Sequence, residues 1–183
     1  MRIYAQFPDK KPKKGGGIPG ACSRALDFFG RQLQSSFKPS TSLRKDRSTL
    51  TVGDVLALRR AGANQELFHT ALDMRTPREV AQEATRQLAT TGMLSTPRLL
   101  GIALKASAAV GKVAVGELEK KKAERALCGI AVKTNSPEIT RVEAVHAVKR
   151  LGLRSKLEGI VRTLDKQDPV YLTAKGILEN NLQ

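Results

Sequence analysis

Apolar positions in residues 135–183 form a pattern that occurs twice in succession. Behind Ser136-Pro137-Glu138 they recur every three residues, at Ile139, Val142, Val145, Val148 and Leu151. Beyond Gly152 they recur at three and four, at Leu153, Leu157, Ile160, Val161 and Leu164. Each set predicts an amphipathic helix. Gly152 between them predicts a turn in the left-handed conformation, so the pattern indicates an antiparallel helix pair.

Proline-associated caps mark where these helices start. Ser136 and Asp168 each stand directly before a proline and each carries a side-chain oxygen. Such an oxygen can accept from the unpaired N–H groups of a first turn, where the missing N–H of proline costs nothing. Thr51 with Asp54 predicts a capping box at the start of another helix. These signals place the folded part of the chain at about residues 49–183.

The turn glycine recurs upstream in one phase. Gly62, Gly92 and Gly152 differ by multiples of thirty residues, and the fourth expected glycine, near Lys122, is absent. A period of about 30 to 45 residues with two helices is the signature of a helical solenoid, in which stacking of the units makes the core.

The remaining helices follow from the same patterns. We predict helices over residues 52–61, 65–74 and 77–90, a long helix over 97–115 and another over 117–132. Small residues in the long helix, from Gly101 to Gly111, predict close packing against a neighbour. Glu117 is expected to pair with Lys121, with the charged run 119–122 facing water.

Residues 50–183 resemble the HEAT and armadillo class of helical repeats. The residues that carry the resemblance are Ser136-Pro137-Glu138, Ala144, Val148, Leu151-Gly152 and Asp168-Pro169-Val170. The resemblance implies an all-α fold of about four stacked antiparallel helix pairs with a binding surface, and it names no catalytic residue. A related helix bundle remains open, because capped amphipathic pairs also build ordinary bundles.

Residues 1–48 differ in composition from the rest. They contain two lysine pairs, three consecutive glycines and a serine-rich stretch, with little apolar material to bury. Residues 1–50 carry 11 basic and 3 acidic side chains, net +8, and the remainder of the chain carries net +7 of the total of +15. We expect a flexible basic arm, in which residues 22–33 form a short helix only when they dock on the repeats or on a partner.

The sequence contains no recognisable reaction centre. His69 and His146 have no ligand partners at metal spacing, and Cys22 and Cys128 are interpreted as reduced thiols. We therefore predict a protein that is not an enzyme, with no catalytic residue, metal or cofactor. No apolar run reaches the length of a membrane span, and no signal peptide follows Met1. We expect synthesis in a cytoplasm, with later export or association with a virion left open.

The charge predicts an acidic partner. A net charge of +15 and an isoelectric point near 10.3 favour polyanions, of which nucleic acid is the commonest in a cell. The candidate contacts are basic residues in the arm, at the domain entrance and beside the turn glycines: Lys10, Lys11, Lys13, Lys14, Arg44, Lys45, Arg47, Arg59, Arg60, Lys149, Arg150, Arg154 and Lys156.

Two other interpretations remain. Cations at helix C-termini are favoured by the helix dipole without any partner. Alternatively the domain is a protein-protein interaction module, such as a secreted bacterial effector or a viral structural protein, with the arm as an export, docking or packaging segment. Salt separates these hypotheses, because binding to nucleic acid weakens steeply as salt rises.

Overall fold

A computed structural model describes residues 46–180 of the chain. Within this range every regular element is helical and there is no strand, which confirms the all-α prediction for the described residues. The predicted arm up to residue 45, its expected short helix over 22–33 and the last three residues lie outside the described residues.

Nine α-helices and two short 3₁₀ helices make up the described part of the chain. The 3₁₀ helices are Arg47–Thr49 and Gly92–Leu94. The α-helices are α1 Val52–Arg60, α2 Asn64–Leu72, α3 Arg78–Ala89, α4 Ser95–Lys105, α5 Ala108–Lys120, α6 Glu124–Val132, α7 Glu138–Arg150, α8 Arg154–Thr163 and α9 Pro169–Asn180.

The predicted long helix over residues 97–115 is wrong. The chain breaks between α4 and α5 at Ala106 and Ser107, whose ψ angles of 172° and 152° are extended. Neither proline nor glycine marks this break, and both residues are compatible with a helix. Packing of α5 back against α4 therefore overrides local propensity here.

Each of the four turns between paired helices contains one residue with a positive φ. Gly62, Gly92 and Gly152 have φ angles of 69°, 76° and 71°, which confirms the prediction for Gly152. Lys122 has a φ of 52° and is the only residue other than glycine with a positive φ among the described residues. The thirty-residue phase thus continues through Lys122, and the predicted helix over 117–132 is divided there into the end of α5 and the whole of α6.

The predicted caps have different outcomes. Thr51 and Asp54 form the full capping box. Asp168 accepts from the backbone N–H of Val170 at 2.8 Å and so caps α9. The prediction for Ser136 is wrong: its hydroxyl is buried without a hydrogen-bond partner among the described residues, and α7 has no side-chain cap.

Each helix packs against its neighbours in sequence and against the next helix but one. We call α1, α3, α5, α7 and α9 the A helices, and α2, α4, α6 and α8 the B helices. Every A helix contacts the next A helix, every B helix contacts the next B helix, and each B helix packs against the A helices on either side of it in sequence. Two layers result, and the apolar core lies between them, with Leu67, Leu99, Leu127 and Ile160 as B-layer members that are almost fully buried.

One predicted core position is wrong. Ile139 is 54% exposed, whereas Thr140 and Arg141 beside it are buried. In a helix of 3.6 residues per turn, each step of three residues falls about 60° short of a full turn. Ile139 and Val145 are two such steps apart and so point in directions about 120° apart, which prevents them from sharing one narrow face. The buried face of α7 instead includes Thr140, Ala144 and Val148.

Candidate polyanion-binding edge

The A helices run parallel to one another, which places equivalent connections on the same edge of the domain. At their C-terminal ends, Arg59 of α1 contacts Thr90, which ends α3. Near their N-terminal ends, Gln82 of α3 donates to the carbonyl of Ala109 in α5 at 3.3 Å. The turns from A to B helices therefore line one edge. Neighbouring packed helices are about 8 to 10 Å apart, so the four turns span roughly 30 Å.

We name the two edges by their residues. The turn edge comprises residues 59–64, 89–94, 119–124 and 149–154. The loop edge comprises the entrance to α1 and the connections from B to A helices, residues 46–51, 73–78, 105–108, 133–138 and 163–168. The turn edge has eight basic and two acidic residues, net +6, and the loop edge has six basic and five acidic residues, net +1. The positive charge of the two edges is thus concentrated on the turn edge.

Two of the predicted contact residues on the turn edge are held by neighbouring repeats. Arg59 donates through Nε to the Thr90 hydroxyl at 3.1 Å and through Nη2 to the Thr90 carbonyl at 3.4 Å. Arg150 donates to both carboxylate oxygens of Glu119, at 2.8 and 2.7 Å, and to Glu143 at 2.8 Å. Both contacts join equivalent pairs of positions that are 31 residues apart, with the arginine in the earlier repeat for Arg59 and in the later repeat for Arg150.

The ion pair between Arg150 and Glu119 shifts the pKa values of these two groups. The hydrogen bonds that Arg150 donates to Glu119 and, to a smaller extent, to Glu143 raise the pKa of Arg150 above its usual range. The hydrogen bond from Arg150 in turn lowers the pKa of Glu119, against a smaller effect of burial. Arg150 therefore serves mainly to join repeats, and its charge is largely compensated by the two carboxylates.

Other basic side chains in this region have no such compensation. Arg60, Lys149 and Lys156 are exposed and make no ion pair or side-chain hydrogen bond within the described residues. Lys156 lies just beyond the last turn, in the first turn of α8. Arg154 is only weakly paired, to Glu158 at 3.4 Å. These four predicted residues lie on or next to the turn edge.

The sequence patterns missed two lysines of this edge. Lys121 and Lys122 are exposed in the third turn, and neither makes an ion pair in the part of the chain that the structure describes. The predicted helix over 117–132 is continuous and places both lysines on its solvent-facing side. The sequence also predicts a pair of Glu117 with Lys121, but Glu117 forms its ion pair with Lys120, at 2.7 Å. The thirty-residue spacing of the turn glycines has its missing member at Lys122, and this spacing could have placed both lysines in a turn.

Arg47 lies apart from the other described candidates. It lines an open cleft of about 370 Å³ on the loop edge together with His69, Leu72, Asp73 and Arg75. Asp73 pairs with Arg47 at 3.4 Å and with Arg75 at 3.1 Å, and hydrogen bonds from Arg75 lower the pKa of Asp73. The carboxylate thus offsets part of the positive charge of this cleft. Burial, followed by the charge of Arg47, lowers the pKa of His69.

Six predicted contacts fall outside the described residues. They are the basic residues of the amino-terminal segment: Lys10, Lys11, Lys13, Lys14, Arg44 and Lys45.

The described residues offer no cluster that resembles a metal site. Within residues 46–180 no group of three or more His, Cys, Asp or Glu side chains is placed to hold a metal ion. In the same residues no helix has the length and apolarity needed to cross a membrane.

Comparison of the chain with protein-family models, with curated proteins and with solved structures found no match to any of them.

Proposed function

We propose that this chain is a non-enzymatic binding protein that engages nucleic acid or another polyanion through the turn edge. The observation that carries the proposal is the unequal distribution of charge, net +6 on the turn edge against net +1 on the loop edge. A row of cations on a rigid frame attracts polyanions and also fixes the geometry of their contact.

The frame in this proposal is a short solenoid of the HEAT or armadillo type. Support comes from the contacts of each A helix with the next A helix and of each B helix with the next B helix. In such a stack each repeat presents equivalent positions at a regular spacing. A single basic position, repeated, then becomes a row of contacts along a linear polyanion.

The backbone of Lys122 gives separate support. A left-handed residue with a side chain costs about 1 kcal/mol or more, and the three equivalent turns use glycine. Strained residues of this kind are concentrated at functional sites. A lysine kept in this position, next to Lys120 and Lys121, is consistent with a role for its charge on the turn edge.

Charge reversal tests the proposal on the full-length chain. The turn-edge variant combines Arg60→Glu, Lys121→Glu and Lys149→Glu. The matched control combines Arg78→Glu, Lys105→Glu and Lys166→Glu, three exposed residues in the loop edge, and has the same net charge. Both variants retain all the basic residues of the amino-terminal segment.

The readout is affinity for duplex DNA and for heparin as a function of salt concentration. Each phosphate contact contributes about 0.9 to the slope of log affinity against log salt for duplex DNA, so the turn-edge variant should lower the slope by up to about 2.7. The control should leave the slope nearly unchanged. Equal losses in the two variants would contradict a specific edge, and failure of the wild type to bind either DNA or heparin would favour a protein partner instead.

A further inference from the structure

Two apolar side chains protrude from the middle of the turn edge. Met93 is 98% exposed and Leu94 is 61% exposed. Both belong to the 3₁₀ helix Gly92–Leu94, which joins α3 to α4. Of the exposed large apolar side chains in the described residues, only Met74 approaches the exposure of Met93, and it lies on the loop edge.

The backbone explains why Met93 points away from the core. In the other three turns the equivalent residues, Ala63, Ala123 and Leu153, donate their N–H to a carbonyl five positions back and pack against the core. This is the hydrogen bond of a Schellman motif. Within the described residues Met93 makes no equivalent bond, and the extra 3₁₀ turn carries its side chain into solvent.

Basic residues lie on both sides of this protrusion along the edge. The turn before it carries Arg59 and Arg60, and the turn after it carries Lys120, Lys121 and Lys122. The turn that carries the protrusion has no charged residue in positions 89–94. The edge therefore presents cations, then a protruding apolar pair, and then cations again.

We propose that the polyanion engaged by the turn edge is the surface of an anionic lipid bilayer, with Met93 and Leu94 inserted at the boundary between headgroups and acyl chains. This inference rests on the proposed function and narrows its partner. Interfacial binding combines burial of apolar side chains with attraction of Lys and Arg to acidic headgroups. A bilayer is an extended surface, so it can contact neighbouring turns of the edge at the same time.

The protrusion favours a bilayer over a nucleic acid. A phosphate backbone offers nothing to two exposed aliphatic side chains, and a duplex admits them only if a base step is unstacked. A bilayer interface accepts them without such a deformation. The edge also lacks aromatic residues on which single-stranded bases could stack, since residues 59–64, 89–94, 119–124 and 149–154 contain none.

Vesicle binding by the full-length chain is the first test. Vesicles of phosphatidylcholine with about 30% phosphatidylserine should bind the protein, and vesicles of phosphatidylcholine alone should not. The combined substitution of Met93→Ser and Leu94→Ser should weaken vesicle binding by roughly tenfold or more while heparin affinity stays unchanged. Arg60→Glu, Lys121→Glu and Lys149→Glu together should weaken both.

A fluorescent reporter tests insertion directly, because the chain contains no tryptophan. Met93→Trp should show a blue shift of its emission on addition of the anionic vesicles. Met74→Trp is the matched control: Met74 is 91% exposed but lies on the loop edge, so its emission should not shift.

The outcomes separate the two proposals. Binding to heparin through the turn edge without binding to anionic vesicles would overturn the bilayer inference and leave the proposed function standing. Absence of binding to heparin and to anionic vesicles would overturn both the proposed function and the bilayer inference. A shift of Met93→Trp with duplex DNA but not with vesicles would assign the protrusion to nucleic acid. Equal shifts of Met93→Trp and Met74→Trp on vesicles would overturn the orientation.

Discussion

The two edges of the helical stack differ in backbone conformation, in charge and in the contacts that their side chains make. The turn edge has a left-handed residue in each of its four turns, and three of these turns share the same backbone hydrogen bond, while the charges vary from turn to turn. On the loop edge, three of the four connections contain five residues and the fourth, 106–107, contains two. Contacts beside this edge reach into the core. Arg59 and Arg150 join neighbouring repeats on the turn edge and leave its other basic side chains available for a partner, whereas the contacts beside the loop edge involve buried groups.

Arg141 of α7 shows how a residue of the loop edge, Asp168, is tied into the interior of the structure. It is 5% exposed, donates to the carbonyl of Ala131 at the end of α6 at 3.0 Å, and pairs with Asp168 at 2.6 Å. Burial raises the pKa of Asp168, but the hydrogen bonds from Arg141 and from Val170 outweigh burial and leave that pKa lowered. One side chain thus joins α6, α7 and the start of α9.

The largest expected effect is therefore at Arg141. Arg141→Ala removes the buried guanidinium, leaves the partly buried Asp168 carboxylate without its partner, and should lower the free energy of unfolding by about 2 to 4 kcal/mol, somewhat less than for a fully buried pair. Urea denaturation measures the change. The double substitution of Arg141→Met with Asp168→Asn keeps a side-chain cap for Val170 and should recover much of the loss. A loss below about 1 kcal/mol in Arg141→Ala would show that the contact is not structural.

A pair of glycines in α5 tests how closely the repeats pack beneath the loop edge. A Cβ on Gly111 would lie 2.6 Å from Oγ1 of Thr140 in α7, whereas a Cβ on Gly116 has nothing within 4 Å. Gly111→Ala should destabilise the protein by about 1 to 3 kcal/mol through overpacking. Gly116→Ala should stabilise it by about 0.5 to 1 kcal/mol, as in an ordinary helix interior. Changes of the same sign in chemical denaturation would contradict this difference.

Substitutions in the turns of the turn edge should change stability through backbone conformation rather than through packing. A Cβ on Gly152 would have nothing within 4 Å, so Gly152→Val should cost about 1 to 2 kcal/mol through its φ of 71° alone. Lys122→Gly should act in the opposite direction, with a gain of up to about 1 kcal/mol, since glycine relieves the strain but loses more entropy on folding. Thermal melts of both variants check these signs. An unchanged midpoint for Gly152→Val would mean that the turn tolerates a branched residue.

The smallest expected effect is the pH dependence of the ion pair of Glu119 and Arg150. Because the folded-state pKa of Glu119 is lowered, its contribution to stability is present above its unfolded pKa and disappears as the pH falls through the folded value. For a partly exposed pair this contribution should be about 0.5 to 1 kcal/mol. The stability difference between wild type and Glu119→Gln should therefore shrink as the pH falls from 7 toward about 3.

Much of the fold could be predicted because local chemistry specifies it. The turn glycines, the capping box of Thr51 and the cap of Asp168 depend on residues close in sequence, and each lies where the pattern places it. The break at Ala106 and Ser107 was harder to predict, since contacts between helices decide it and neither proline nor glycine marks it, although Ser107 is a residue type found often at the start of helices.

The candidate site was less predictable for a related reason. Arg59 and Arg150 are predicted from their position before a turn glycine, but their hydrogen bonds go to Thr90 and Glu119, partners 31 residues away. The pattern assigns Lys121 and Lys122 to the face of a helix because lysine gives no sign of a left-handed turn. Exposure of Met93 depends on an extra 3₁₀ turn that its sequence does not announce.

The layered arrangement also has a kinetic consequence. Within residues 46–180, no two α-helices in extensive contact are more than two positions apart in chain order, so nearly all native contacts there close short loops. Low contact order favours rapid folding, and stacks of repeats lose structure in segments because each unit is stabilised by its neighbours. Amide hydrogens of α4 to α6, which have repeats on both sides, should therefore exchange with solvent more slowly than those of α1, so that opening of the stack begins far from its centre.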